Sequence, residues 1–181
     1  MKDRCYTLLV LFLVTALNAL ALKPHFTHIT INNGLPHQQV SSLAQDPKGY
    51  IWIGTRNGLS RYDGYGLTNY FHNALDKQSL FCDFITCLYN DSRGRLWIGT
   101  DKGMGRYRQA TDDFDFLHAD IGSVQHISEM SDGRIVAGGK KLFVFDEKQQ
   151  RFVQLPMIEN DYVVSLATDK KNRLYVATNH N

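Results

Sequence analysis

The sequence predicts an all-β fold: a β-propeller of four-stranded antiparallel blades, incomplete, with about three and a half blades present. Three observations predict it. One pattern of apolar run, tight turn and apolar run starts at Val40, Ile85, Val124 and Val163, a period of about 40 residues. In all four copies the turn residue (Gly49, Gly94, Gly133, Asn172) lies nine positions after the start. Aromatics reach 12%, with 14 Gly against four Pro, a balance that favours strands and turns over helices. The hydrophobic share of 43% and charged share of 21% are those of a globular chain, and 181 residues suit one domain.

The first element is an address. Residues 1–21 read as a signal peptide: Lys2 and Arg4 precede an apolar run from Cys5 to Leu17, and Ala19 to Ala21 form an Ala-x-Ala ending. Cleavage is expected between Ala21 and Leu22. The run to Leu22 is at the lower edge for spanning a bilayer, and the small residues at the cleavage positions favour removal over anchoring. Residues 22–181 are then the first part of an exported propeller. Phe26 precedes Val40 by the same distance as Phe71 precedes Ile85, so 25–31 are expected to form a lone outer strand that closes a blade from the other chain end.

In the first copy, Val40 to Ala44 is an apolar strand and Asp46-Pro47-Lys48-Gly49 a turn in which Gly49 supplies positive φ. Tyr50 to Gly54 is rich in β-branched and aromatic residues, Asn57-Gly58 marks a hairpin, and Leu59 to Tyr62 and Leu67 to Phe71 complete four strands. ITCLYNDSRGRLWIGT from Ile85 to Thr100 lies over VSSLAQDPKGYIWIGT from Val40 to Thr55, and Gly103 to Tyr107 repeats Gly58 to Tyr62. The third copy is worn, with Val136 where the others carry Trp and Gly138-Gly139 in place of Gly-Thr. The fourth, with Tyr175 and Ala177, reaches only its second strand by Thr178, so the sequence reads as the front piece of a longer protein.

The segments from Asp46 to Gly64 and from Asp91 to Tyr107, with the lead-in Asn33-Gly34-Leu35-Pro36-His37, resemble the two-component regulator propeller repeat. That resemblance implies the periplasmic sensor region of a bacterial membrane signalling protein, followed by more repeats, a β-sandwich, a membrane span and a cytoplasmic output. The implied output is a histidine kinase, often hybrid, or a diguanylate cyclase, and a homodimer is possible in such a parent.

The recurring residues read as framework: Gly49, Trp52, Gly54, Gly58 and Tyr62 in the first copy, and Gly94, Trp97, Gly99, Gly103 and Tyr107 in the second. Trp52 and Trp97 occupy one repeat position inside an apolar strand, which argues for core rather than ligand stacking. Asp46, Asp91, Asp132 and Asp169 sit in turns and read as turn chemistry. Arg61 and Arg106 are candidates for pairing between blades. No positioned Ser, His and Asp set, Walker loop or zinc-ligand spacing is present, so no catalytic residue, cofactor or metal is expected. His25 and His28 would point to opposite faces of a strand, and His37 sits in a loop. Cys82 and Cys87 could pair in an oxidising compartment, although Cys87 reads better as a small buried residue. A net charge of +2 without a basic block excludes an extended nucleic-acid surface. The expected partners are an extracytoplasmic ligand, with carbohydrate among the admissible classes, and the rest of the same polypeptide. Ligand groups belong in loops that differ between repeats: Asn32 to Gln39, Asn73 to Asp83 and Ala119 to Ser123. The rival reading is a piece of a secreted propeller enzyme, such as a polysaccharide lyase or a quinone-dependent dehydrogenase.

Overall fold

The computed structural model describes residues 26–117, 121–156 and 162–179. The leader, the Ala21/Leu22 cleavage position and His25 lie outside them. Strand periodicity within each repeat builds a meander. Sheet one holds β1 (Val40–Gln45), β2 (Ile51–Thr55), β3 (Gly58–Tyr62) and β4 (Leu67–Tyr70). Sheet two holds β5 (Ile85–Asn90), β6 (Leu96–Thr100), β7 (Gly103–Arg108) and β8 (Asp113–Phe116). Sheet three holds β9 (Val124–Glu129), β10 (Ile135–Gly139), β11 (Leu142–Asp146) and β12 (Arg151–Leu155). The fourth sheet has two strands, β13 (Val163–Thr168) and β14 (Leu174–Thr178). All pairings within these sheets are antiparallel. The first strands β1, β5, β9 and β13 lie beside one another in succession, so the sheets stack like blades around one side of an axis.

The expected turn residues do their work. Gly49 and Gly94 adopt φ of 89° and 75°, and Asn172 takes the same region at 61°. The Asn-Gly hairpin differs in detail from the sequence expectation. Thr55 pairs with Gly58, so Arg56 and Asn57 are the loop, and the positive φ falls on Gly58 (115°) rather than on Asn57. Thr55 Oγ1 donates to the Gly58 carbonyl at 2.8 Å and accepts from Asn57 N–H at 3.1 Å. Thr100 repeats both bonds around Gly103.

Residues 26–31 form no strand among the described residues; the blade that they are expected to complete would take its other strands from the opposite end of a longer chain. Of that range, 26–30 are coil and a 3₁₀ turn covers Ile31–Asn33, capped by Thr30. A strand exists only through its ladder, and no described strand lies alongside this segment. The segment instead lies against sheet one, where Asn69 Nδ2 donates to the Gly34 carbonyl at 2.8 Å and Leu35 is buried.

Packing between sheets explains the glycine of each Trp-Ile-Gly-Thr signature. The first residue of each following sheet inserts over it: Ile85 over Gly54, Val124 over Gly99 and Val163 over Gly138. A Cβ built on Gly54 would stand 2.6 Å from Ile85 Cγ2, and one on Gly138 2.5 Å from Val163 Cγ1. Each first strand also carries a β-bulge after that residue. The bulged hydroxyl bridges to the next sheet in two cases: Ser41 Oγ donates to the Ile85 carbonyl at 2.7 Å, and Thr86 Oγ1 donates to the Val124 carbonyl.

Trp52 and Trp97 are fully buried, each facing the following sheet. Trp52 packs on Tyr107 with ring centroids 4.6 Å apart, and Trp97 packs on Phe145 at 4.9 Å. Cys82 and Cys87 are both free thiols, so no disulfide joins them. Burial pushes the Cys87 thiol up to about 12, consistent with a small packing residue next to Gly99 and Val124.

Candidate ligand cleft

Two ends of the stack differ in chemistry. Antiparallel alternation brings the β2–β3 turns and the β4–β5 crossover to one end, and the β1–β2 and β3–β4 turns to the other. At the second end the residues are absorbed by structure. Asp46 accepts from Lys48 N–H, Tyr50 N–H and Trp52 Nε1, the last at 2.9 Å. Asp91 accepts from Arg93 N–H, Arg95 N–H and Trp97 Nε1 at 2.8 Å, with Arg95 Nε at 2.6 Å. Burial opposes ionisation of Asp91, but the Trp97 and Arg95 bonds outweigh it and hold its carboxyl below the usual carboxylate range. The recurring aspartates are therefore turn builders and also acceptors for a buried indole. Asp132 also builds its turn, accepting from Arg134 N–H at 3.1 Å, but it is not at the repeat position of Asp46 and has no indole partner. Met130 stands at the repeat position of Asp46, and Asp132 lies two residues further on, where its carboxylate pairs with exposed Arg134 at 2.8 Å.

Arg61 pairs between blades as expected. Its Nη1 donates to Tyr107 Oη at 2.9 Å and to Asp112 Oδ1 at 2.8 Å, while Tyr70 and Tyr107 hydroxyls also donate to Asp112 Oδ1. Burial and the Asp112 bond push the Tyr107 phenol up to about 12. Arg106 pairs chiefly within its own sheet, with Asp115 of β8 at 3.0 Å, and reaches the next sheet only at Gln150, 3.4 Å away. Tyr62, at the same repeat position as Tyr107, meets no preceding sheet among the described residues and donates to the Gly64 carbonyl in its own turn.

The opposite end carries the one expected loop whose polar groups converge on open space. The β4–β5 crossover and β8 enclose a cleft of about 360 Å³ lined by His72, Asn73, Ala74, Asp76, Lys77, Ser79, Phe81 and Phe116. The loop is held by its own bonds. Ser79 Oγ accepts from Asn73 N–H at 2.9 Å and donates to the Asp76 carbonyl at 2.7 Å. Asn73 Oδ1 and Asp76 Oδ1 accept from Leu75 and Gln78 N–H. Its base is tied to both sheets: Gly58 N–H donates to the Asp83 carbonyl, His72 N–H to Asp83 Oδ1 at 2.6 Å, and Phe114 N–H to the Gln78 carbonyl.

Inside the cleft, the Phe81 and Phe116 rings pack with centroids 4.3 Å apart at 36°. Gly105 makes room for them, because a Cβ there would stand 2.7 Å from the Phe81 ring. His72 Nδ1 lies 2.7 Å from the Leu80 carbonyl, an acceptor, so Nδ1 carries a proton. The Lys77 ammonium and the Asp76 carboxylate are exposed at the rim. The cleft thus offers an aromatic floor with donors and acceptors of both signs around it.

The other two expected loops are less open. In Asn32 to Gln39, Asn33 is spent on Thr30, Leu35 is buried and His37 Nδ1 accepts from Gln39 N–H. Of Ala119 to Ser123, residues 119–120 lie outside the described part and Ile121 is core. His28 lines a smaller cleft of about 170 Å³ with Tyr62 and Tyr65. Among the described residues no group of three or more His, Cys, Asp or Glu is placed to hold a metal ion, and no helix is long and apolar enough to cross a membrane.

The family model described as "Two component regulator propeller" matches residues 34–57 and 79–102. A curated relative, Histidine kinase P4 of Formosa agariphila, is 35% identical over 69 residues, which is 38% of this chain and 5% of the kinase. Among solved structures, the extracellular domain of a hybrid two component system of B. thetaiotaomicron, BT3049, superposes with a TM-score of 0.75 at 19% identity, covering 83% of this chain and 23% of that one. That of BT4673 from the same organism gives 0.66 at 20%, covering 87% and 21%. Virginiamycin B lyase of Staphylococcus aureus gives 0.60 at 17%, covering 79% and 50%. The chain therefore spans a small part of the curated relative and less than a quarter of either extracellular domain, and at these identities the structural likenesses establish the fold alone. Within that fold, residues 34–57 and 79–102 are the stretches similar to the two-component regulator propeller repeat.

Proposed function

We propose that this chain is the first part of an extracytoplasmic sensor propeller, and that the cleft under the β4–β5 crossover is where it recognises a small polar ligand. The parent would be a membrane-bound signalling protein with a histidine kinase or diguanylate cyclase output, and this segment would carry recognition without catalysis. The two matched repeats and the similarity to a histidine kinase support the receptor class. The observation that carries the site is the cleft itself, the loop that departs from the repeat and still holds itself rigid by internal bonds. Preorganised loops of this kind lose little entropy on binding.

The ligand class follows from the lining. An aromatic floor suits the C–H face of a sugar ring, and a rim of amide, imidazole, ammonium and carboxylate groups suits hydroxyls that both donate and accept. The opposed charges of Asp76 and Lys77 favour a neutral carbohydrate over a strongly anionic one. The test is calorimetric titration of the chain with a panel of neutral and uronic-acid oligosaccharides. Phe81→Ala should weaken binding of a neutral member at least about tenfold, the scale of losing a buried aromatic contact. Lys77→Ala, at an exposed position, should weaken it without moving the unfolding midpoint. Preference for the uronic acids, or equal binding by Phe81→Ala, would refute this ligand assignment.

A further inference from the structure

The cleft occupies a place that the other sheets close. Leu35 and Leu80 stand at the same distance before Val40 and Ile85 and both are buried, so Pro36 and Phe81 are counterparts, as are Gly34 and Ser79. Across the outer pair of strands, Ser60 lies opposite Asn69 in sheet one, and Gly105 lies opposite Phe116 in sheet two. In sheet one these positions make a polar clasp. Ser60 Oγ donates to Asn69 Oδ1 at 2.7 Å, and Asn69 Nδ2 donates to the Gly34 carbonyl at 2.8 Å. In sheet three Phe143 stands at that position with its own ring and is buried. Of the three four-stranded sheets, only sheet two has glycine there, and the ring over it comes from the crossover. Backbone geometry does not require that glycine. Gly105 lies inside β7 and, unlike Gly103, has no positive φ, so alanine or serine would suit its backbone. What it leaves is space. A Cβ there would stand 2.7 Å from Phe81 Cε1 and 3.0 Å from the Asp115 carbonyl oxygen. That carbonyl is backbone of β8, held by its pairing with β7, so the Phe81 ring would have to move.

We infer that Gly105 is the positioning residue of the cleft: by giving its Cβ place to the Phe81 ring, it holds the aromatic floor low enough for a sugar ring to enter under the Asn73–Ser79 loop. It touches no ligand itself and acts through Phe81. The assignment rests on the reading of the cleft as the ligand site. Its physical logic starts from the cost of a strand glycine, which loses more chain entropy on folding than other residues and packs no side chain. At a position of ordinary φ that cost is offset only by what fills the vacated space, and here the filling ring lines the cleft. A side chain at 105 would push the Phe81 ring away by about 1 Å to restore van der Waals contact, and the displaced ring would take up cleft volume. The same position in sheet one shows the closed alternative, a serine clasped to asparagine with no ring between them.

The test is a calorimetric double-mutant cycle on Gly105→Ala and Phe81→Ala, with the unfolding midpoint of each variant measured beside it. The probe is a neutral oligosaccharide that binds the parent chain. Gly105→Ala should weaken binding about tenfold or more, the scale of one overpacked contact. In the Phe81→Ala background the same change should have no further effect, because no ring remains to be displaced. A glycine needed only for the fold would instead give effects on binding that multiply. A second variant, G105S/F116N, carries the residues of sheet one and decides the matter if Gly105→Ala does not fold. It should keep the circular dichroism spectrum of the parent while binding falls at least about tenfold. A parent chain that binds no neutral oligosaccharide would overturn the ligand reading and this assignment together. A parent that binds, beside a Gly105→Ala or G105S/F116N chain that binds equally well, would overturn this assignment alone. So would effects of Gly105→Ala and Phe81→Ala that multiply.

Discussion

At the residue scale, the indole and its partners behave as one unit. Trp52 and Trp97 each donate to a turn aspartate and lie across the ladder from an arginine, Arg61 and Arg106, whose guanidinium sits 5.7 Å from the indole centroid. In the third repeat all three positions are apolar: Met130, Val136 and Val144. The physics requires this, since a buried Asp without the indole N–H, or an indole without its acceptor, leaves an unsatisfied group costing about 1–3 kcal/mol. A double-mutant cycle on Asp91→Met and Trp97→Val should therefore show a coupling of about 1–2 kcal/mol by denaturant unfolding; additive single effects would contradict the unit. The pH dependence has a definite sign. The folded Asp91 carboxyl is held below its unfolded range, so its contribution is fully present above about pH 4 and is lost as pH falls below that. Asp91→Asn should flatten the acid limb of the stability curve. The aspartate was legible in the sequence as a turn residue, but its indole partner was not, because the bond closes across six residues through the curvature of a hairpin.

At the element scale, the glycine sockets set how closely the sheets approach. Gly54→Ala would drive a methyl into Ile85 and should cost about 1–3 kcal/mol, read from the shift in the denaturation midpoint. Adding Ile85→Ala should cost less than the sum of the two single changes, because the smaller side chain relieves the clash. Cys87 fills the corresponding place beside Gly99, and with its thiol pushed up to about 12 it should resist alkylation at neutral pH until the chain unfolds. Most strands could be read from the repeat, because turn glycines and β-branched runs recur at fixed offsets; β1 to β4 match the sequence expectation to within a residue or two at their ends. The segment before β1 depends on a nonlocal partner. Phe26 to Ile31 has strand-like composition, but strand formation depends on a neighbour that local sequence does not reveal. The cleft was half legible. Asn73 to Asp83 was one of three loops read as differing between repeats and was not singled out among them, whereas Phe116 lies outside all three. Gly105, a glycine inside a strand where Ser60 and Phe143 stand in the other copies, was the signal of a close approach.

At the scale of the whole molecule, the same strand type changes character with its position in the stack. β6, between two sheets, is buried at every residue, whereas β14 at the end of the stack is largely exposed with the same pattern of side chains. Repeat proteins gain stability from neighbour contacts, so the fourth sheet should exchange its amide hydrogens faster than the second. The most direct measurement is a hydrogen-exchange footprint of the chain with and without a neutral oligosaccharide that binds it. Added protection confined to residues 72–81 and 114–116 is the expected result. Protection elsewhere, with the β4–β5 crossover unchanged, would contradict the assignment of this cleft as the recognition site.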